Sequence, residues 1–149
     1  MTRLVCMPCS ATKLPWDGEI AAIERYDGPM WRTLRATLAT IAVRDMPAVW
    51  FLSARYGFHP ASMLIPDYDD RMTARRAAEL LKLPTSNRQA FADAVQAATG
   101  VLFAGGLLYR STMRQACRTL PRGVQVTDGA GIGYQREQLA RWLTTGATS

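Results

Sequence analysis

Ala48-Val49-Trp50-Phe51-Leu52-Ser53 is an apolar run of strand length, closed by a hydroxyl residue and with no polar residue alternating through it. A strand with one wet face would alternate polar and apolar residues. A continuous run fits a strand covered on both faces, as in a parallel sheet with helices on either side. Other runs share this character. Leu4-Val5-Cys6-Met7, ended by Pro8, precedes it, and Val101-Leu102-Phe103-Ala104, closed by Gly105-Gly106, follows it. Val124-Gln125-Val126 makes a shorter last strand.

Helical patterns lie between the strands. Trp31, Leu34, Leu38 and Ile41 recur at helical spacing between Met30 and Val43, while Arg32 and Arg35 fall off that stripe. Asp27-Gly28-Pro29 supplies the turn before this helix and a proline at its start. Ala21 to Arg25 reads as a short helical turn. Thr73 caps a helix to about Leu83, and Ser86 or Asn87 caps another through Ala98. Leu107–Leu120 and Tyr134–Leu143 complete the set, with a frayed tail from Thr144. Alternating strands and helices over 149 residues predict an α/β fold: a single three-layer domain with a mostly parallel sheet of about four strands flanked by helices.

Hydrophobic residues make up 48% of the chain and charged residues 20%, enough apolar material to bury a core. No apolar run approaches the roughly 18 to 20 residues of a membrane span, and the opening Met1-Thr2-Arg3-Leu4 lacks a signal-peptide core. The expectation is a cytoplasmic protein without a membrane partner. The formal net charge of +6 favours a polyanionic partner, nucleic acid or a nucleotide. Only Lys13 and Lys82 are lysines among the 18 basic residues, and the arginines are scattered rather than gathered in one run.

The 3 cysteines give no disulfide framework. Cys6-Met7-Pro8-Cys9 has C-x-x-C spacing, but Pro15 and Gly18 prevent the helix that a redox pair needs behind it. A zinc site would have only Cys117 and the single His59 to complete it. The chain is therefore read as needing no metal and no cofactor.

In a parallel sheet the ligand crevice lies beyond the carboxyl ends of the strands. After the first strand, Cys9, Ser10 and Lys13 form either an anion-binding turn with a nucleophile or a surface loop with a solvated lysine. After the second, Ser53, Arg55, Tyr56 and Gly57 open an irregular segment from Ala54 to Met72 that holds His59, Asp67, Tyr68 and Asp69. Its three carboxylates, Asp67, Asp69 and Asp70, either bind a metal, position a sugar hydroxyl or supply a general base, or else form a solvated patch paired with Arg71, Arg75 and Arg76. Gly105, Tyr109 and Arg110 follow the third strand, and Gly131 and Gly133 follow the fourth. Glycines ahead of a helix either admit close approach of a phosphate or base or serve helix–sheet packing. The last loop contains G-x-G without the full dinucleotide fingerprint.

Taken together, Cys9-Ser10-x-x-Lys13, Tyr26-x-Gly28-Pro29-x-Trp31, Leu52-Ser53-x-x-Tyr56-Gly57, Ile65-Pro66-x-Tyr68-x-x-x-Met72 and Gly131-Ile132-Gly133 resemble the DUF6884 domain family. The middle segment also resembles the YaaA-like peroxide-stress proteins, and that resemblance implies DNA binding. Pro8, Cys9 and Lys13 are similar to the start of the archaeosine synthase catalytic segment, which implies a lysine facing a nucleobase.

These readings lead to an enzyme that acts on a nucleobase or nucleotide, cleaving or exchanging an N-glycosidic bond or modifying a base in nucleic acid. Lys13 is expected as nucleophile or charge stabiliser, with Asp67 or Asp69 orienting a sugar or activating water. Tyr56 or Tyr68 is expected to stack on the base, and Arg55 and Arg110 to hold phosphate. The rival readings are a non-catalytic DNA-binding protein of stress response or phage biology, and an enzyme on a free phosphorylated metabolite.

Overall fold

The computed structural model describes residues 2–128 and 131–145. β1 (Leu4–Pro8) runs through the middle of the sheet because both of its faces are apolar. Leu4 and Cys6 point to one side, Val5 and Met7 to the other, and all four are buried. β3 (Ala48–Ser53) pairs with it in parallel on one flank and β6 (Val101–Phe103) on the other. A short β7 (Gln125–Val126) lies parallel to β6 at one edge, and β4 (Gly57–Pro60) runs antiparallel to β3 at the opposite edge. The sheet is thus five-stranded in the order β4-β3-β1-β6-β7.

Helices cover both faces. α2 (Pro29–Leu38) and α6 (Ile132–Thr145) pack against each other on one side, where Trp31, Leu34, Leu139, Trp142 and Leu143 meet Val5, Met7, Phe51 and Leu102. α3 (Ala74–Lys82), α4 (Arg88–Ala97) and α5 (Leu107–Gln115) cover the other. There Leu80, Phe91, Val95 and Met113 meet Cys6, Trp50, Leu52 and Phe103. Each such large apolar side chain contributes about 1.5–3 kcal/mol on full burial. The expected three-layer α/β architecture is the one observed.

The differences from expectation are local. The stretch from Ala54 to Met72 is not wholly irregular: it contains β4 and a two-residue β5 (Leu64–Ile65), which pairs antiparallel with β2 (Ile20–Ala21). β2 leads directly into α1 (Ala22–Arg25). α2 ends at Leu38, where Thr40 and Ile41 bond to Thr37 and Leu38 in a tightened turn rather than continuing the helix. α5 stops at Gln115, well before Leu120. Thr73 caps α3 by accepting from the Arg76 backbone N–H at 3.0 Å. Neither Ser86 nor Asn87 caps α4 through its side chain: Ser86 donates to the Leu83 carbonyl and Asn87 to that of Phe58. The expected frayed tail begins inside α6, and its residues 146–149 lie outside the described residues. Among the described residues no helix is long and apolar enough to cross a membrane.

Chain order places β3 on one side of β1 and β6 on the other, so the crossover from β1 to β3 and that from β6 to β7 run in opposite directions. The switch point lies between the carboxyl ends of β1 and β6, where open sheets of this kind form their crevice.

Candidate functional site

Three backbone features carry residues 9–14 back across the end of β1. Cys9 N–H bonds the Leu52 carbonyl at 3.0 Å, Asp27 N–H bonds Thr12 at 2.9 Å, and Leu14 N–H bonds Arg25 at 2.7 Å. Lys13 and Tyr26 form an antiparallel bridge within this ladder. Gly28 lies where the two segments touch, and a Cβ there would displace the Ser10 hydroxyl. The result is a half-buried Lys13 whose Nζ lies 4.5 Å from the ring centroid of Tyr68 and 6.0 Å from that of Tyr26.

Arg25 holds the remainder of this loop. Its fully buried guanidinium has no carboxylate partner among the described residues and donates instead to the carbonyls of Leu14 at 2.8 Å, Trp16 at 2.9 Å and Gly18 at 2.5 Å. Trp31 acts similarly on β1, its indole N–H donating to the Pro8 carbonyl at 2.8 Å.

The end of β3 supplies the second group. The buried Ser53 hydroxyl oxygen accepts from the backbone N–H of Arg55 at 3.0 Å and of Tyr56 at 3.2 Å, closing a turn. Gly57 then reverses the chain with φ +82, and a Cβ there would strike the backbone of Ser86. Arg76 on α3 fixes the turn from outside by donating to the Ala54 carbonyl at 2.6 Å. Ser53 Oγ also lies 2.8 Å from Tyr68 Oη, which contacts Tyr26 Oη in turn. The Arg55 guanidinium stands 5.7 Å from the ring centroids of both Tyr56 and Tyr68.

A third group comes from β6 and α5. Gly105, with φ +114, packs against Pro8 so closely that a Cβ would overlap its ring, which draws the end of β6 onto that of β1. Its N–H donates to the buried Thr127 hydroxyl at 3.0 Å. Tyr109, in the first turn of α5, places its Oη 3.0 Å from Cys9 Sγ. Arg110 has a buried Nε without a partner among the described residues.

Burial pushes the phenols of Tyr26, Tyr68 and Tyr109 above the ordinary tyrosine range. The neighbouring Cys9 adds to the effect at each of them. They are therefore neutral hydroxyls at physiological pH. His59 is driven the other way by burial, and its Nε2 donates to the Tyr56 backbone carbonyl at 2.8 Å.

Of the residues expected from sequence, Cys9, Lys13, Ser53, Arg55, Tyr56, Tyr68 and Tyr109 thus come together at the ends of β1, β3 and β6. Ser10, Gly57 and Gly105 shape the backbone beneath them. The stretch around Asp67 and Asp69 is arranged differently. Both carboxylates are exposed and make no hydrogen bond or ion pair among the described residues, whereas Tyr68 between them is buried. Asp67 instead borders a surface depression with Trp16, Asp17 and Glu19. Arg75 and Arg76 pair with Glu79 at 3.7 and 3.2 Å, not with Asp67, Asp69 or Asp70. Gly131 and Gly133 are exposed at the start of α6 with open space where a Cβ would stand, and Gly129 and Ala130 of the same loop lie outside the described residues. Cys6 faces the α3–α5 core while Cys9 faces Tyr109, so the C-x-x-C spacing does not make a pair.

Tyr26, Arg25 and Thr127 belong to this architecture and were not among the expected site residues. For Tyr26 the signal was its place in the Tyr-x-Gly-Pro turn; Arg25 and Thr127 carry none in sequence. Comparison of the chain with protein-family models, curated proteins and solved structures found no match.

Proposed function

We propose that the protein is an enzyme acting on a nucleobase or nucleotide, cleaving or exchanging an N-glycosidic bond or modifying a base in nucleic acid. The observation that supports this reading is the gathering of a lysine, a thiol, an arginine and neutral tyrosine hydroxyls at the switch point of the sheet. Lys13 serves as nucleophile or as the charge that stabilises a developing anion. Tyr56, half-buried beside Arg55, offers a face for stacking, worth about 1–3 kcal/mol per base. Asp67 or Asp69 approaches from solvent to orient a sugar or activate water.

Chromatography of reaction mixtures containing nucleosides, nucleotides or modified DNA tests the reading. Free or altered base is expected with the native chain and not with Lys13→Ala. Equal product from Lys13→Ala and Asp69→Ala would remove these assignments.

The net charge of +6 and the exposed Trp16 on the Lys13 loop favour a second reading, nucleic-acid binding without turnover. Filter binding at two salt concentrations separates the two. Binding that weakens steeply with salt while no product forms supports the second.

A further inference from the structure

Hydrogen-bond accounting at the hydroxyl cluster leaves one proton over. Ser53 Oγ has two lone pairs, and the backbone N–H groups of Arg55 and Tyr56 occupy them at 3.0 and 3.2 Å. Its own proton must then be donated, and Tyr68 Oη at 2.8 Å is positioned to receive it. Tyr26 is 0% exposed and its hydroxyl meets that of Tyr68. Were Tyr68 the donor in that contact, the Tyr26 proton would be left buried with no free acceptor, which is costly. Tyr26 is therefore the donor. Tyr68 Oη accepts twice, and the Tyr68 proton has no acceptor among the described residues although the side chain is only 6% exposed.

The surroundings of that proton say what it awaits. Lys13 Nζ lies 4.5 Å and the Arg55 guanidinium 5.7 Å from the Tyr68 ring centroid, and neither forms an ion pair among the described residues. Tyr26 and Tyr56 meet the same ring edge-on, at 6.4 and 5.3 Å between centroids. The ring is therefore enclosed, and Tyr68 is not a stacking platform. Two cations without a carboxylate partner among the described residues, both lying against the ring of a tyrosine whose O–H is unspent, give this strand end the charge to draw an oxygen anion.

We infer that Tyr68 donates its hydroxyl proton to a phosphate oxygen of the ligand, with Lys13 and Arg55 balancing the charge. This rests on the reading of the cluster as a nucleotide site and narrows it: the substrate is phosphorylated, and the phosphate rather than the base contacts Tyr68. A nucleotide and a phosphorylated sugar share this chemistry.

Isothermal titration of the full chain with inorganic phosphate, ribose 5-phosphate, uridine and adenosine 5′-monophosphates and the two matching nucleosides tests the inference. Phosphorylated probes are expected to bind at least about tenfold more tightly than nucleosides, and Tyr68→Phe, which keeps the ring and its cation contacts, to lose about tenfold or more for them. Tighter binding of the nucleotides than of ribose 5-phosphate identifies a nucleotide, and equal binding a phosphorylated metabolite; both support the subsite. Equal affinity for nucleosides and nucleotides, or unchanged affinity in Tyr68→Phe, overturns it. Should circular dichroism show Tyr68→Phe misfolded, Lys13→Met is held to the same criterion. Phosphorylated probes that bind but yield no altered base leave the subsite and remove the enzymatic reading. Base released equally from nucleosides and nucleotides does the reverse.

Discussion

Cys9 Sγ and Tyr109 Oη lie 3.0 Å apart, although 100 residues separate them in the chain. The contact crosses the switch point, tying the end of the central strand β1 to the first turn of α5. Cys9 packs with the α2–α6 core and Tyr109 with the α3–α5 core, so the pair joins the two halves of the molecule where the sheet ends. It also leaves Cys9 as the one thiol of the three that is not buried.

That difference predicts selective chemistry. Cys6 is 0% and Cys117 7% exposed, and burial raises the Cys6 thiol well above its ordinary range and the Cys117 thiol to about 11. A thiol reagent at neutral pH should label Cys9 alone in the native chain and all three cysteines after denaturation. Peptide mapping of the labelled protein checks this. Cys6 or Cys117 modified as fast as Cys9 would show the packing around β1 to be wrong.

The raised phenols of Tyr26, Tyr68 and Tyr109 predict the alkaline limit of the fold. In the unfolded chain a tyrosine ionises near about pH 10. A folded-state pKa above that value means the native state binds more protons, so stability is intact below about pH 10 and falls as pH rises beyond it. Phenolate absorbance from these three of the five tyrosines should therefore appear only as circular dichroism reports unfolding. Their ionisation near pH 10 in a chain that stays folded contradicts the burial assigned to them.

Much of this was legible in the residues, and the reasons for the remainder are specific. Leu4–Met7, Ala48–Ser53 and Val101–Ala104 announce buried strands because both faces need covering, so continuity of apolar residues suffices. Gly57–Pro60 does not, since an edge strand of four residues carrying glycine and proline has too little pattern to read; only its pairing with β3 makes it a strand. The early end of α2 was hidden because Ile41 stays buried through the tightened turn and so continues the apolar period. At the site, the strand-end rule led to Cys9, Lys13 and Ser53. Charge drew notice to Asp67 and Asp69, yet the chain buries the residue between them, and Tyr26 reaches Tyr68 only across 42 residues of sequence.

Two glycines with the same backbone angle should respond differently to substitution. Gly57 has φ +82 and Gly123 φ +79, so alanine at either suffers a left-handed penalty of roughly 1–2 kcal/mol. At Gly123 there is open space for the new methyl group, whereas at Gly57 it would meet the Ser86 backbone. Urea unfolding should show Gly57→Ala to be the more destabilised of the two by at least about 1 kcal/mol. Equal losses would mean that the Gly57 turn does not lie against residue 86.

Arg25 offers a test that links the loop to the site. Its guanidinium satisfies the carbonyls of Leu14, Trp16 and Gly18 and reaches that of Ile65 at 3.4 Å. Arg25→Met retains the aliphatic volume but removes every donor, so these carbonyls must find water or remain unpaired, at about 1–3 kcal/mol for each that stays buried. Opening of the loop towards water lowers that cost and shifts the change into local mobility. Leu14, whose N–H bonds the Arg25 carbonyl, should then exchange its amide hydrogen much faster than in the native chain, while β1 and β3 keep their protection. Because Lys13 is joined to this loop through its bridge to Tyr26, the same variant should weaken ligand binding at Tyr68. Arg25→Lys is expected to restore only part of the protection, since one ammonium cannot span the three carbonyls that the planar guanidinium reaches. Hydrogen exchange measured on the three proteins settles the point, and unchanged protection of the Leu14 amide in Arg25→Met would show that the loop is held by other means.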